Sequence, residues 1–184
     1  MPILGVIDSA KSGHLAPVDT GAMFPLGMVS VGSAGAANIT FSSIPSTYKH
    51  LQLRYFSQNT SADTTVFRVN SDSGNNYALH VLNGDGANTS SGATSTYSYG
   101  SFGVTAGGTA NVFATGIVDF LDYANTNKYK TIRGLSGRDY NGSGNIQLRS
   151  SLWQSTSAIT SITVTTDSSY NFTQYTSFAL YGIL

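Results

Sequence analysis

Few residues in this chain can do acid–base or nucleophilic chemistry. It has three histidines, His14, His50 and His80, nine acids that are all Asp, and no cysteine. Ser, His and Asp together raise the question of a hydrolase, but no Gly-x-Ser-x-Gly elbow occurs. His14 lies in an apolar terminal segment and His50 on the polar side of an alternating strand. His80, within Tyr77–Leu82, reads as a sheet histidine that faces a partner or is hydrogen-bonded. No two histidines have the close spacing of a zinc ligand pair. Asp119 and Asp122 are three apart, which in a strand sends them to opposite faces. A glycosidase needs two carboxyls roughly 5–10 Å apart across a cleft, and no such pair is marked. Asp72-Ser73-Gly74-Asn75-Asn76 and Asn83-Gly84-Asp85-Gly86 are oxygen-rich, as calcium loops are. Such loops end on a bidentate Glu, which the chain lacks, and turn chemistry accounts for both. Gly134-Leu135-Ser136-Gly137 reads as a loop with no helix behind it to bind phosphate. The expectation is a protein that is not an enzyme, with no metal and no cofactor.

The positioning elements follow from composition. Charged residues make up 10% of the chain, against about a quarter in ordinary domains. Without Glu, and with Ser, Thr, Asn and Gly dominating where Lys- and Ala-rich runs would carry a helix, surface helices have little to form from. Net charge is zero, with Lys and Arg scattered singly, so no basic stripe marks a nucleic-acid partner. No apolar run approaches the roughly 18 residues that span a bilayer, and no membrane partner is expected. The opening Met1–Asp8 lacks a basic n-region and its apolar stretch stops at Asp8, so it does not read as a signal peptide. The sequons at Asn38, Asn59, Asn88 and Asn171 read as chance products of a Ser/Thr/Asn-rich chain.

From Gly27 onward, short β-branched and aromatic runs alternate with Gly/Asn/Asp/Ser clusters. Strands are predicted near 27–32, 37–42, 49–58, 64–70, 76–83, 95–103, 111–121, 128–136, 145–153, 159–166 and 176–183. Alternation is clearest at Leu51, Leu53 and Tyr55, which oppose His50, Gln52 and Arg54. Asn141-Gly142 and Tyr123–Asn127 read as turns, and Gly32–Gly35 as a loop. Residues 84–94 read as an exposed irregular stretch. The apolar segment Phe178–Leu184 must be paired deep in a sheet to avoid aggregation. The fold class is all-β, an antiparallel two-sheet β-sandwich, jelly-roll-like, with an extended N-terminal arm.

One domain and an appendage follow. Residues 1–26 hold three of the four prolines and read as an arm docking on neighbouring subunits through Ile3, Leu4, Val6, Ile7, Leu15, Met23 and Phe24. Residues 27–184 form the sandwich, with Trp153 anchoring its core. Tyr97, Tyr99 and Phe102 alternate along one segment and read as core, as an intersubunit contact, or as an exposed aromatic platform for sugar.

Several segments resemble one family. Asn38-Ile39-Thr40-Phe41-Ser42-Ser43-Ile44-Pro45-Ser46-Thr47-Tyr48-Lys49-His50-Leu51-Gln52-Leu53-Arg54 is similar to the small β-sandwich virion structural proteins of tailed bacteriophages. So are Asn70–Tyr77, Asp122–Thr131, Ser177–Ile183 and the opening Ile3–Ile7. The resemblance implies a phage virion component, first a capsid decoration or cement protein gripping the major capsid protein and copies of itself on the capsid exterior. The alternative it implies is a tail-fibre or baseplate module recognising a host surface glycan.

Overall fold

A computed structural model describes residues 22–184. They form twelve strands, and no helix occurs among the described residues. The strands are β1 (Met23–Ser30), β2 (Ile39–Phe41), β3 (His50–Asn59), β4 (Asp63–Val69), β5 (Tyr77–Gly84) and β6 (Thr89–Tyr97). They continue as β7 (Gly100–Gly107), β8 (Ala114–Phe120), β9 (Lys130–Asp139), β10 (Gly144–Trp153), β11 (Ile162–Thr166) and β12 (Ser177–Ile183). The sheet is mixed and open, with two antiparallel runs. Eight strands are ordered β1-β12-β3-β8-β9-β10-β5-β6, and four are ordered β2-β11-β4-β7. A short parallel ladder, Gln58–Asn59 against Ala106–Gly107, joins the runs.

Alternation sets which side chains enter the core. In β3, Leu51, Leu53 and Tyr55 are buried while Arg54 and Phe56 are exposed, as the period of 2 predicts. Aromatic rings knit the two runs together. Phe67 of β4 meets Phe120 of β8 edge-on at 5.5 Å, and Tyr55 of β3 lies 5.6 Å from Phe102 of β7. Tyr55 also needs two glycines. A Cβ on Gly103 or Gly116 would come within 2.1 or 2.4 Å of its side chain. Burial pushes the Tyr55 phenol well above its usual range, so it stays protonated and donates to the Val104 carbonyl at 3.3 Å. Trp153 is buried as expected, and its indole donates to Asp72 Oδ2 at 2.7 Å.

Four expectations change. β1 begins at Met23, not Gly27, so Met23 and Phe24 belong to the sheet. Met23 lies opposite Ile183, and Phe24 packs on Tyr48 at 5.4 Å. Residues 84–94, expected to be irregular, contain most of β6, laddered to β5. Their Ser/Thr/Gly composition hid a strand because it has no apolar face to alternate. Gly134–Gly137 is the middle of β9 and not a loop. There a Cβ on Gly134 would meet the Phe102 carbonyl at 2.2 Å, so this glycine serves close strand packing. The segment holding Tyr97, Tyr99 and Phe102 is split between the end of β6, a connection and β7. The turn at Asn141-Gly142 forms as predicted, with φ of 58° and 112°, the geometry of a type I′ hairpin.

Candidate docking surface

The histidines and carboxylates do not converge. His50 Nδ1 accepts the Asp122 N–H at 2.9 Å, at one end of β3. His80 shares a cross-strand row with Ser150, Arg133 and Asp119. Three strand spacings, about 14 Å, separate it from that aspartate. His14 lies outside the described residues. Asp72 accepts from Gly74 N at 2.8 Å, from Asn76 Nδ2 and from Trp153, and these donors hold its carboxyl below the usual range despite burial. Asp85 likewise accepts from Asn88 N at 2.6 Å and Ala87 N at 2.9 Å, which lowers it too. Both carboxylates close turns. Among the described residues no three His, Asp or Glu side chains cluster as metal ligands would.

The described molecule instead presents an apolar row. On the outer face of the eight-strand run, Ile117 of β8 lies opposite Leu135 of β9. Leu135 lies opposite Leu148 of β10, and Leu148 opposite Leu82 of β5. These four aliphatic side chains form one line perpendicular to the strands, about 14 Å long. One register step away, Ile146 stands over Gly137. A shallow cleft of about 280 Å³ between them is lined by Thr115, Ile117, Leu135, Gly137 and Ile146. All five aliphatic side chains are between 43% and 65% exposed, which is unusual for aliphatics in register on neighbouring strands. The next row is polar. Gln52 Nε2 donates to Asp119 Oδ1 at 3.0 Å, and Arg133 reaches Asp119 Oδ2 at 3.4 Å. The result is an apolar strip with a charged and amide rim.

Parity explains why the strip faces outward. Trp153 is the inward anchor of β10, so Ser151, Arg149, Gln147 and Asn145 share its face, and Leu148 and Ile146 are left outside. Inside, the polar side chains bond to one another. Arg149 Nη1 donates to Ser101 Oγ at 2.6 Å, and Gln147 and Asn145 both donate to Asn83 Oδ1 at 3.0 and 2.8 Å. The same logic puts Val118 and Phe120 inside and Ile117 outside. Sequence reasoning missed the strip because it assigned no face to the aliphatics of β5, β8, β9 and β10. Fixing the parity from Trp153 and Phe120 was the signal that would have found it.

The three aromatics divide among their readings, with Phe102 in the core. Phe102 is fully buried and stacks on Phe67 at 5.5 Å, so it is not an exposed contact. Tyr97 and Tyr99 are half-buried, their rings 4.9 Å apart. The Tyr99 hydroxyl donates to Asp167 Oδ1, and desolvation together with that carboxylate raises it well above its usual range. Ile3, Leu4, Val6, Ile7 and Leu15 of the expected arm lie outside the described residues. Compared with known proteins, the chain matches no family model, no curated protein and no solved structure.

Proposed function

We propose that this protein is a structural component of a tailed-phage virion, and in particular a decoration or cement protein that binds capsid subunits on the particle exterior. The observation that carries the reading is the cross-strand row Ile117–Leu135–Leu148–Leu82 with Ile146 beside it. A rigid sheet face with an apolar strip and a polar rim is built to cover a protein surface, as interface cores and rims are. The family resemblance of Asn38–Arg54, Asp122–Thr131 and Ser177–Ile183 supplies the kind of assembly.

The strand order supports a jelly-roll reading. Taking β1, β2, β3, β4, β7, β8, β11 and β12 as its eight strands yields the runs β1-β12-β3-β8 and β2-β11-β4-β7. On this reading they are two facing four-strand sheets between which the chain crosses, as in a jelly roll. The hairpins β5–β6 and β9–β10 then extend one sheet, and the apolar strip lies largely on that extension.

The test is to image particles by cryo-microscopy with the wild-type protein and with Leu135→Asp/Leu148→Asp. The expected result is density on the head that disappears with the double variant while its melting temperature holds. Density at the tail tip would sink the cement reading. The Tyr97–Tyr99 pair beside Asp167 is the observation that keeps glycan recognition as a second reading. Loss of host adsorption in Tyr97→Ser/Tyr99→Ser, with head occupancy unchanged, would favour it.

A further inference from the structure

The edges of the sheet are not alike. The two ends of the eight-strand run are β1 and β6, and β2 ends the four-strand run. β1 carries Pro25 and a register break between Pro25 and Gly27, two devices that keep foreign strands from adding to an edge. β2 is three residues long, too short to serve as a template. β6 has nine residues, Thr-Ser-Ser-Gly-Ala-Thr-Ser-Thr-Tyr, with no charge and no proline, and eight of the nine are exposed. Its one irregularity is confined to its C-terminal end, between the positions facing Tyr77 and Leu79, where Thr96 has φ 67°. Among the described residues, nothing pairs with the outer side of β6 from Thr89 to Thr94, which leaves a row of backbone donors and acceptors. This strand gains almost nothing from burial, since the described residues cover neither of its faces.

We propose that β6 is a self-pairing edge, and that a second copy of this chain adds its own β6 antiparallel to it across a two-fold axis. Three features select a second copy over a foreign peptide. An uncharged strand meets itself without like charges facing each other, and Ser/Thr pairs hydrogen-bond across antiparallel strands. Foreign strands gain specificity from pockets beside the edge, whereas β6 offers only Ser, Thr, Gly and Ala along its laddered length. A two-fold axis normal to the sheet also keeps both outer faces on one side. The strip ending at Leu82, opposite Ser91 of β6, would then continue towards the strip of the second copy. The inference rests on β6 alone and holds whether or not the particle is a phage.

The chain has no cysteine, which gives a clean test. A two-fold axis through β6 makes one residue its own cross-strand neighbour at a Cα separation of about 4.5–5.5 Å, within disulfide range. Single cysteines are placed in turn at positions 90 to 94, with Thr131→Cys on the outer face of β9 as control. One position of the series should form a covalent dimer under mild oxidation in dilute solution, and the control should not. Two paired nine-residue strands make a small interface. Sedimentation should therefore show a dimer that dissociates on dilution from about 100 μM to about 1 μM. Ser91→Lys/Ala93→Lys sets lysines against lysines and should leave a monomer with an unchanged melt. The inference is overturned if no position crosslinks above the control, or if the lysine variant dimerises as the wild type does. Leu135→Asp/Leu148→Asp should dimerise normally, so failure of the docking reading cannot be mistaken for failure of this one.

Discussion

The two faces of the eight-strand run are built from similar aliphatic residues and differ in what covers them. The inner face holds Leu53, Tyr55, Val118, Phe120 and Ile132, all buried, with rings at contact distance from Phe67 and Phe102. The outer face holds Ile117, Leu135, Leu148 and Leu82 in a line, all exposed. The inner aliphatics are covered by the second run, and nothing in the described chain covers the outer ones. Hydrophobicity alone therefore does not separate buried from exposed aliphatics in this protein. Parity against a committed anchor does.

The comparison breaks most sharply at Phe102. Phe102→Ala empties a fully buried site between Tyr55 and Phe67, and such truncations cost about 3–5 kcal/mol. Chemical denaturation should show that loss, with particle binding unaffected wherever the variant is still folded. A loss under 1 kcal/mol would mean that the two runs do not share a core.

Lys130 sharpens the inner face from the polar side. It is fully buried, with Nζ donating to the carbonyls of Asn125 at 2.5 Å, Lys128 at 2.9 Å and Thr156 at 3.2 Å, and burial lowers its pKa. The ammonium ties the β8–β9 turn to the segment that follows β10. Lys130→Met leaves three carbonyls without their donor and should cost about 3 kcal/mol. A thermal melt within a degree of wild type would show that water replaces the amine without loss.

The outer face should behave in the opposite way. Leu135→Ser and Leu148→Ser, together, should change stability by no more than about 0.5 kcal/mol, as exposed substitutions do, yet remove most particle binding. A loss of several kcal/mol would move these residues into a core.

Much of this was legible in the sequence, and the misses share a cause. The alternation of Leu51, Leu53 and Tyr55, the Asn141-Gly142 turn and the buried Trp153 were readable because each is a local pattern with one physical solution. β6 was unreadable as a strand because Ser and Thr on both faces leave no period of 2 to detect. The outer strip was unreadable because Ile146 and Leu148 alternate with Gln147 and Arg149 as well as any inward pair would. Only Trp153, five residues past Leu148, reverses the assignment. The buried role of Lys130 had no local signal, since its partners come from two separate segments.

The smallest effect expected is in the turn after β8, where charge and not packing does the work. Asp122 sits in the turn after β8 with φ 47°. It accepts a hydrogen bond from Lys128 and pairs with Lys49 at 3.1 Å, and these two cations, Lys128 foremost, draw its carboxyl down to about 2. A carboxylate with a lowered folded-state pKa binds fewer protons when folded than when unfolded. Its contribution is thus fully present above the ordinary aspartate range near 4 and is lost as pH falls through about 2. Asp72, lowered by Trp153, Asn76 and Gly74, acts in the same direction, so the wild-type melting temperature should fall as the solution is acidified below about pH 4. Asp122→Asn removes one of these groups. Its melting temperature should lie slightly below wild type at pH 7, and the two curves should converge as pH falls through about 2, where the Asp122 carboxyl takes up its proton and becomes as neutral as the amide. Added salt at pH 7 should narrow the gap, since the cations are exposed and screened. Curves that stay parallel from pH 7 to pH 2 would show that Asp122 holds its turn by shape and not by charge.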